Sequence, residues 1–441
     1  MIGVGISAGL TGAKRARSIQ DPLPALDLDW ATDRSLPAAY GPTPSFSRAS
    51  TGTYFTSSGL LTSAAINGPR FNHVYNGSSW VSKGLLVEEQ RTNNLLRSED
   101  LTVTWTANRG SITSNAIVAP DGTTTADRFI ESTANGVHGP VQTPVTTTAA
   151  AYTVSGFFRA GTRSIVVMRF QDFATGLNGV GAEFDLSAGT ISSPAVVIGA
   201  FTSPSATISN VGGGWYRCTV TGTTNTTQCS LRIETCTSAG AFSAAFFQGS
   251  SYTGDGSSYF DSWGYQLELG SFATSYIPTH TAAVTRSADV CQITGTSFSS
   301  FFNANEGSIA AEYDTIYPLS LASSRRLFIF RDAGNSVRLN SEINSNGIYW
   351  ETVPAGANIL GAYSASAYDS VKAGYGYKVN DFAITVNGSA ASTDTSVSVP
   401  TGITLLDLGS MDGSQYLCGH IARLRYYNSR LTNSKLQELS T

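Results

Sequence analysis

The residues best equipped for chemistry in this 441-residue chain are a few carboxylates, some aromatics set among small residues, and scattered amides and guanidiniums. Cleaving a glycosidic bond takes two carboxyl groups facing each other across a sugar, one with a raised pKa. Glu88 and Glu89 are neighbours in an expected strand, so they point to opposite faces and cannot pair with each other. Glu99 and Asp100 fall in an expected turn, where capping is the commoner role. Asp255 lies in a Gly-Asp-Gly run that reads as turn chemistry. Glu268 stands between Leu267 and Leu269 and faces away from both, toward solvent or a backbone partner. No Gly-x-Ser-x-Gly elbow offers a serine nucleophile. The glycine-rich residues 3–14 lack both the preceding strand and the Gly-Lys-Ser/Thr ending of a phosphate loop. The expectation is a protein that is not an enzyme.

Binding is the chemistry these residues fit better. Sugars are held by aromatic faces against their C–H surfaces and by planar polar groups on their hydroxyls. The candidate carbohydrate-binding residues are Trp350, Tyr375, Asp412, Gln415 and Tyr416. Tyr375, between two glycines, is expected to be exposed, whereas Trp350 and Tyr377 also fit a core. Asp412, Gln415 and Tyr416 also read as ordinary turn residues. Trp105, Trp215 and Trp263 are assigned to core packing. The five cysteines form no CxxC pair and the four histidines are far apart, so no zinc site and no cofactor are expected.

The elements that must position such residues follow from composition. Charged residues are 13% and hydrophobic residues 41%, with Ser, Thr, Gly and Ala in place of the missing charge. Amphipathic helices need charged wet faces, so this mixture favours short strands with hydroxylated outer faces and glycine- or asparagine-rich turns. The net charge of −4 makes nucleic acid an unexpected partner. No run reaches membrane-spanning length, and Lys14, Arg15 and Arg17 follow the mildly apolar start, the reverse of a secretory signal. Synthesis in a reducing cytoplasm is expected, with thiols acting as small buried hydrophobes and the sequons at Asn76, Asn225 and Asn387 as chance matches.

The fold class expected is all-β: two β-sandwich (jelly-roll) domains in tandem after an extended N-terminal segment. Residues 1–30 read as a docking segment and 31–95 as an extended linker module with small hairpins. Residues 96–285 form a first sandwich and 286–441 a second. In the first, 212–222 places Trp215, Arg217 and Thr219 on one face of a strand and Tyr216, Cys218 and Val220 on the other. In the second, Asn-Gly pairs at 346–347 and 387–388 signal hairpins, and Thr432 caps a short C-terminal helix.

Several stretches resemble known proteins. FSRASTGTYFTSSGLLTSAAINGPRF (46–71), then GLLVEEQRTNNLLRSED and Trp105, resembles a module of phage and prophage tail proteins. Residues 251–290, SYTGDGSSYFDSWGYQLELGSFATSYIPTHTAAVTRSADV, are the most specific stretch and close a carbohydrate-binding-module-like sandwich. YKVNDFAITVNG, LLDLGSMDG and GHIARLRYYNSRLTNSKLQELS resemble a concanavalin A-like lectin/glucanase (laminin G-like) domain, though without the Glu-x-Asp-x-x-Glu run of related glucanases. The resemblance covers roughly residues 45–441 and implies a virion structural protein, of fibre, tail or decoration type. Such a protein is a homotrimer, attached to other virion proteins through residues 1–30, presenting its sandwiches to host-surface glycan. Two rivals stay open: a purely structural collar, baseplate or head-fibre part, and a polysaccharide depolymerase. Calcium also stays open, since lectin-like loops use Asp and backbone oxygens, although no EF-hand pattern is present.

Overall fold

Strand after strand alternates between apolar and hydroxylated or small residues, and in a computed structural model these strands close into two sandwiches. The structure describes residues 22–240, 242–316, 324–354, 358–361 and 370–441. In the first sandwich one six-stranded antiparallel sheet runs Thr202–Asn210, Trp215–Thr223, Ala151–Ala160, Tyr259–Leu269, Ala126–Glu131, Gly110–Ile117. The facing sheet runs Thr190–Ile198, Gly179–Asp185, Ile165–Asp172, Gln228–Cys236, Gly139–Thr146, Trp105–Asn108. Period-two alternation sends Val154, Phe158, Cys218 and Val220 from the first sheet, and Val166, Met168 and Phe170 from the second, into one core. Each such burial contributes roughly 1.5–3 kcal/mol against the unfolded chain.

The second sandwich draws on both ends of the chain. Its larger sheet runs Ser392–Asp394, Phe382–Val386, Val371–Lys378, Glu306–Thr315, Gly419–Tyr427, Trp80–Val87, Phe71–Tyr75, and Leu26–Asp29 also pairs with Gly419–Tyr427. The facing sheet begins with Ser45–Ser47 and continues through Val290–Thr294, Leu405–Leu408, Arg325–Arg331, Arg338–Asn344, Gly347–Val353 and Asn358–Gly361. The two sandwiches are therefore nested. The second opens before residue 30, is interrupted by the first, and closes at the C-terminus.

This arrangement differs from the tandem expected from the sequence, and the reason is physical. Strands of three to five residues, such as Ser45–Ser47 and Phe71–Tyr75, carry too little periodicity to show which distant sheet they join. The linker module of 31–95 supplies three of the strands just described, Ser45–Ser47, Phe71–Tyr75 and Trp80–Val87, and a separate hairpin of Gly52–Phe55 with Leu61–Ala64. Of the docking segment, residues 1–21 lie outside the described residues. Leu26 and Leu28, alternate residues of the strand Leu26–Asp29, face the second core and are fully buried, as is Trp30 at the start of the short helix Trp30–Asp33 that follows. The C-terminal helix, Asn433–Leu439, is capped by Thr432, whose side chain accepts from the Lys435 N–H at 3.2 Å.

Where the chain leaves and re-enters the second sandwich, Arg91–Asn93 pairs antiparallel with Val284–Arg286. A buried charge cluster locks this crossing. Arg70 spans Glu88 (2.7 Å) and Asp289 (2.5 Å), Arg48 reaches Asp289 at 3.1 Å, and Arg286 lies 3.6 Å from Glu88. Ser275 donates to Glu88 from its backbone N–H (2.8 Å) and its hydroxyl (2.7 Å). Burial alone would raise the Glu88 carboxyl, but Arg286, Arg70 and the Ser275 hydrogen bonds outweigh it and hold it well below the usual carboxylate range.

Candidate functional site

The outer face of the first sheet is built of cross-strand rows. Ser205, Thr221, Thr153 and Glu268 stand in one row, Thr207, Thr219, Ser155 and Gln266 in the next, and Ser209, Arg217, Phe157 and Trp263 in a third. One end of this face is roofed. Thr274 donates to Glu268 from N–H (2.6 Å) and hydroxyl (2.7 Å), and the Ile277 N–H donates to Gln266 at 2.7 Å, so 274–277 lies across it. Trp215 and Trp263 pack there in a satellite cluster with Leu61, Phe157 and Tyr276. Trp105 alone of the three tryptophans sits in the main core of this sandwich.

The other end stays open and forms a cleft of about 720 Å³, walled by Ser205, Thr207, Ser209 and Thr219 on one side and by Phe272 and Ile316 at the second sandwich. Its hydroxyls are partly tied, Thr207 to Thr219 at 2.7 Å, yet Ser203, Ser205, Thr207 and Ser209 are exposed along an edge strand. Among the described residues, Arg217 is the single charged one in this lining. Its Nη2 donates to the Ser155 hydroxyl (3.0 Å) and the Thr274 carbonyl (2.8 Å), and its plane lies over Phe157. Among the described residues it has no carboxylate partner. Burial lowers the pKa of this guanidinium, an effect that Glu268 and Glu88 offset only in part.

A second pocket of about 570 Å³ shares Ser271 and Phe272 with the cleft and adds Tyr152, Arg91, Arg325 and Glu89. Glu89 pairs with Arg91 (2.5 Å) and Arg325 (3.0 Å), whose guanidiniums both lie over the Phe272 ring. Gly270, with φ +134°, makes room for Arg91, since a Cβ there would stand 1.6 Å from its Nη1. A third pocket, about 360 Å³, holds Glu99, Asp127 and His280. Burial raises both carboxyls, but the Asp127 oxygens already accept from the Leu101 N–H (2.7 Å) and the Asn115 N–H (2.9 Å).

The structure does not bring the sequence candidates together as a binding surface. Trp350 and Tyr375 are 0% exposed and pack on each other with ring centroids 5.3 Å apart. A ring with no accessible face cannot stack on a sugar. The glycines flanking Tyr375 lie on a central strand whose tyrosines face inward, which corrects the expectation of exposure. Tyr416 is also buried in the second core. Asp412 is exposed in a turn and pairs with Arg331 at 3.2 Å, while Gln415 is half-buried at φ +48°. Glu88 and Glu89 do face apart, one into the buried cluster and one into the second pocket. Asp255 caps its turn, accepting from the Ser257 and Ser258 N–H groups at 2.7 Å. The five cysteines are free and buried. The sequence pattern put Arg217 and Thr219 on one shared face, as the structure does, but the cleft was not legible, because its far wall comes from the other sandwich.

No family model and no curated protein matches the chain. Among solved structures, it is similar to the Ruminococcus gnavus IT-sialidase CBM40 bound to α2,3-sialyllactose, with 16% identity, a TM-score of 0.26, and coverage of 31% of this chain and 83% of that one. Mouse laminin α1 chain domains LG4-5 give 10% identity and a TM-score of 0.23 over 75% of this chain and 92% of that one. Trypanosoma rangeli sialidase in complex with sialic acid gives 10% and 0.25, over 90% and 98%. Both module types named by the sequence resemblance, a carbohydrate-binding module and laminin G domains, are thus among the similar structures. Likeness at this level carries no argument about what this chain binds.

Proposed function

We propose that this chain is a non-catalytic structural protein of a bacteriophage particle, of fibre, tail or decoration type, which holds host-surface glycan in the cleft between its sandwiches. The observation that carries the binding role is the cleft itself, with exposed hydroxyls in register along an edge strand, one guanidinium, and an apolar wall at Phe272 and Ile316. Such a surface matches a sugar's hydroxyls and C–H faces without a buried hydrophobic pocket. The virion role is supported by the resemblance of 46–105 and 251–290 to phage tail proteins. Several residues of those stretches, Arg48, Arg70, Glu88, Ser275, Arg286 and Asp289, form the buried cluster that joins the sandwiches. Docking to other virion proteins then falls to residues 1–21, since Leu26, Leu28 and Trp30 are committed to the core, and the assembly is a homotrimer.

The non-catalytic reading is supported by how the carboxylates near the cleft are engaged, Glu268 by Thr274 and Glu89 by two arginines. The test is a glycan array and host-cell binding assay on the full chain and on Thr207→Trp, which fills the cleft. The reading expects saturable binding that Thr207→Trp abolishes while circular dichroism stays unchanged. Binding that survives the substitution would move the site elsewhere. No binding to any glycan would favour a purely structural virion part, and shortening of the bound polysaccharide would favour a depolymerase.

A further inference from the structure

Resting on that glycan-binding reading, we infer that the cleft takes an acidic polysaccharide, with a sugar carboxylate seated on Arg217. The cleft is lined by hydroxyl-bearing and small residues with Phe272 and Ile316 as its apolar wall, and among the described residues Arg217 is the only charged one in the lining. Arginines elsewhere near this crossing are matched to acids: Arg48, Arg70 and Arg286 to Asp289 and Glu88, Arg91 and Arg325 to Glu89. Arg217 instead spends Nη2 on two neutral oxygens, and among the described residues its buried Nε has no hydrogen-bond partner. A guanidinium whose hydrogen bonds go to neutral acceptors is not tied up by a directly paired acid, and fixing it in advance lowers the ordering cost when an anion arrives.

The second pocket extends the same logic. It joins the cleft at Ser271 and Phe272, and there the Glu89 carboxylate is engaged by both Arg91 and Arg325. A sugar chain that seats an acidic unit on Arg217 can continue into this pocket, where the one carboxylate is already held by two arginines. Planar guanidinium donors favour a carboxylate among the anions a glycan carries.

The experiment measures binding of the full chain to oligogalacturonate and to oligosialate, each beside its carboxyl-reduced counterpart, with dextran sulfate as a polyanion of different chemistry. At least one acidic oligomer is expected to bind, weakening as salt rises, and its carboxyl-reduced form to bind at least about tenfold more weakly. Arg217→Gln is expected to reproduce that loss with the thermal midpoint held, and Arg217→Lys to restore part of it. Because the reduced ligands need no variant, a misfolded Arg217→Gln does not cloud the result. Equal binding of acidic and reduced oligomers would overturn the inference while leaving the glycan-binding reading standing. Dextran sulfate binding as tightly as the carboxylated oligomers would likewise overturn it, as non-selective polyanion capture. Absence of binding to every glycan, neutral or acidic, would remove both.

Discussion

Two sets of arginines sit close together and do opposite things. At the crossing of the two sandwiches, Arg48, Arg70 and Arg286 are at most 1% exposed and surround Glu88 and Asp289. In the cleft, Arg217 is half-buried, lies in an otherwise neutral lining, and carries no acid partner among the described residues. The lesson is about what a buried charge is for. A guanidinium matched to carboxylates fixes where two strands cross, because leaving any member alone in a dry interior is costly. A guanidinium held only by neutral oxygens is poised for a ligand.

The predictions break this contrast in order of size. Asp289→Ala strips Arg48 and Arg70 of their shared partner and should cost ~3–5 kcal/mol in chemical denaturation. A change below 1 kcal/mol would mean the cluster does not lock the crossing. Trp350→Ala should cost a similar ~3–5 kcal/mol by opening a cavity, and should leave glycan affinity per folded molecule unchanged. Lost affinity with an intact core would return Trp350 to the binding surface.

Acid should find the crossing as well. Glu88 is depressed in the folded state, so its stabilisation is fully present above the unfolded carboxyl pKa of about 4.3 and is lost as pH falls below it. Burial of Glu99 and Asp127 acts with the opposite sign, because their raised carboxyls favour protonation in the fold. The account therefore expects the thermal midpoint to fall between about pH 4.5 and 2, and Glu88→Gln, already destabilised at neutral pH, to show a flatter profile there. An unchanged slope would assign the acid sensitivity elsewhere. At the small end, Asp412→Asn should shift stability by ~0.5 kcal/mol or less, since the Asp412 carboxylate is mostly exposed and Arg331 keeps Asp407 at 2.6 Å.

Much of the architecture was legible where the signal is local. Alternation in 151–160 and 212–222 grouped the residues that share a face, though not which face turns inward, and Thr432 marked its helix start. The turn at 387–388 has both residues at positive φ, as an Asn-Gly hairpin requires. Near 344–347 the register pairs Asn344 with Gly347, so the loop is Ser345-Asn346, one residue earlier than the Asn-Gly pair suggested. Nesting was not legible, because strand partners such as Leu26–Asp29 and Gly419–Tyr427 lie at opposite ends of the chain and share no local pattern. The same limit hid the site. Alternation shows which residues leave a sheet, but not that Phe272 and Ile316 stand opposite Thr207. Aromatics drew attention to Trp350 and Tyr375, although they face each other from opposite sheets and are buried in the core between them. The residues that line the cleft are mostly serines and threonines, too common in this chain to stand out.

The most direct test compares Arg70→Gln with Arg217→Gln, measuring thermal midpoint and affinity for an acidic oligosaccharide on the same preparations. The account predicts a crossed result, with Arg70→Gln lowering the midpoint by several degrees and Arg217→Gln holding the midpoint while losing at least about tenfold in affinity. If Arg217→Gln unfolds as readily as Arg70→Gln, or binds as tightly as the parent, then the division between arginines that build the crossing and the arginine that binds is wrong.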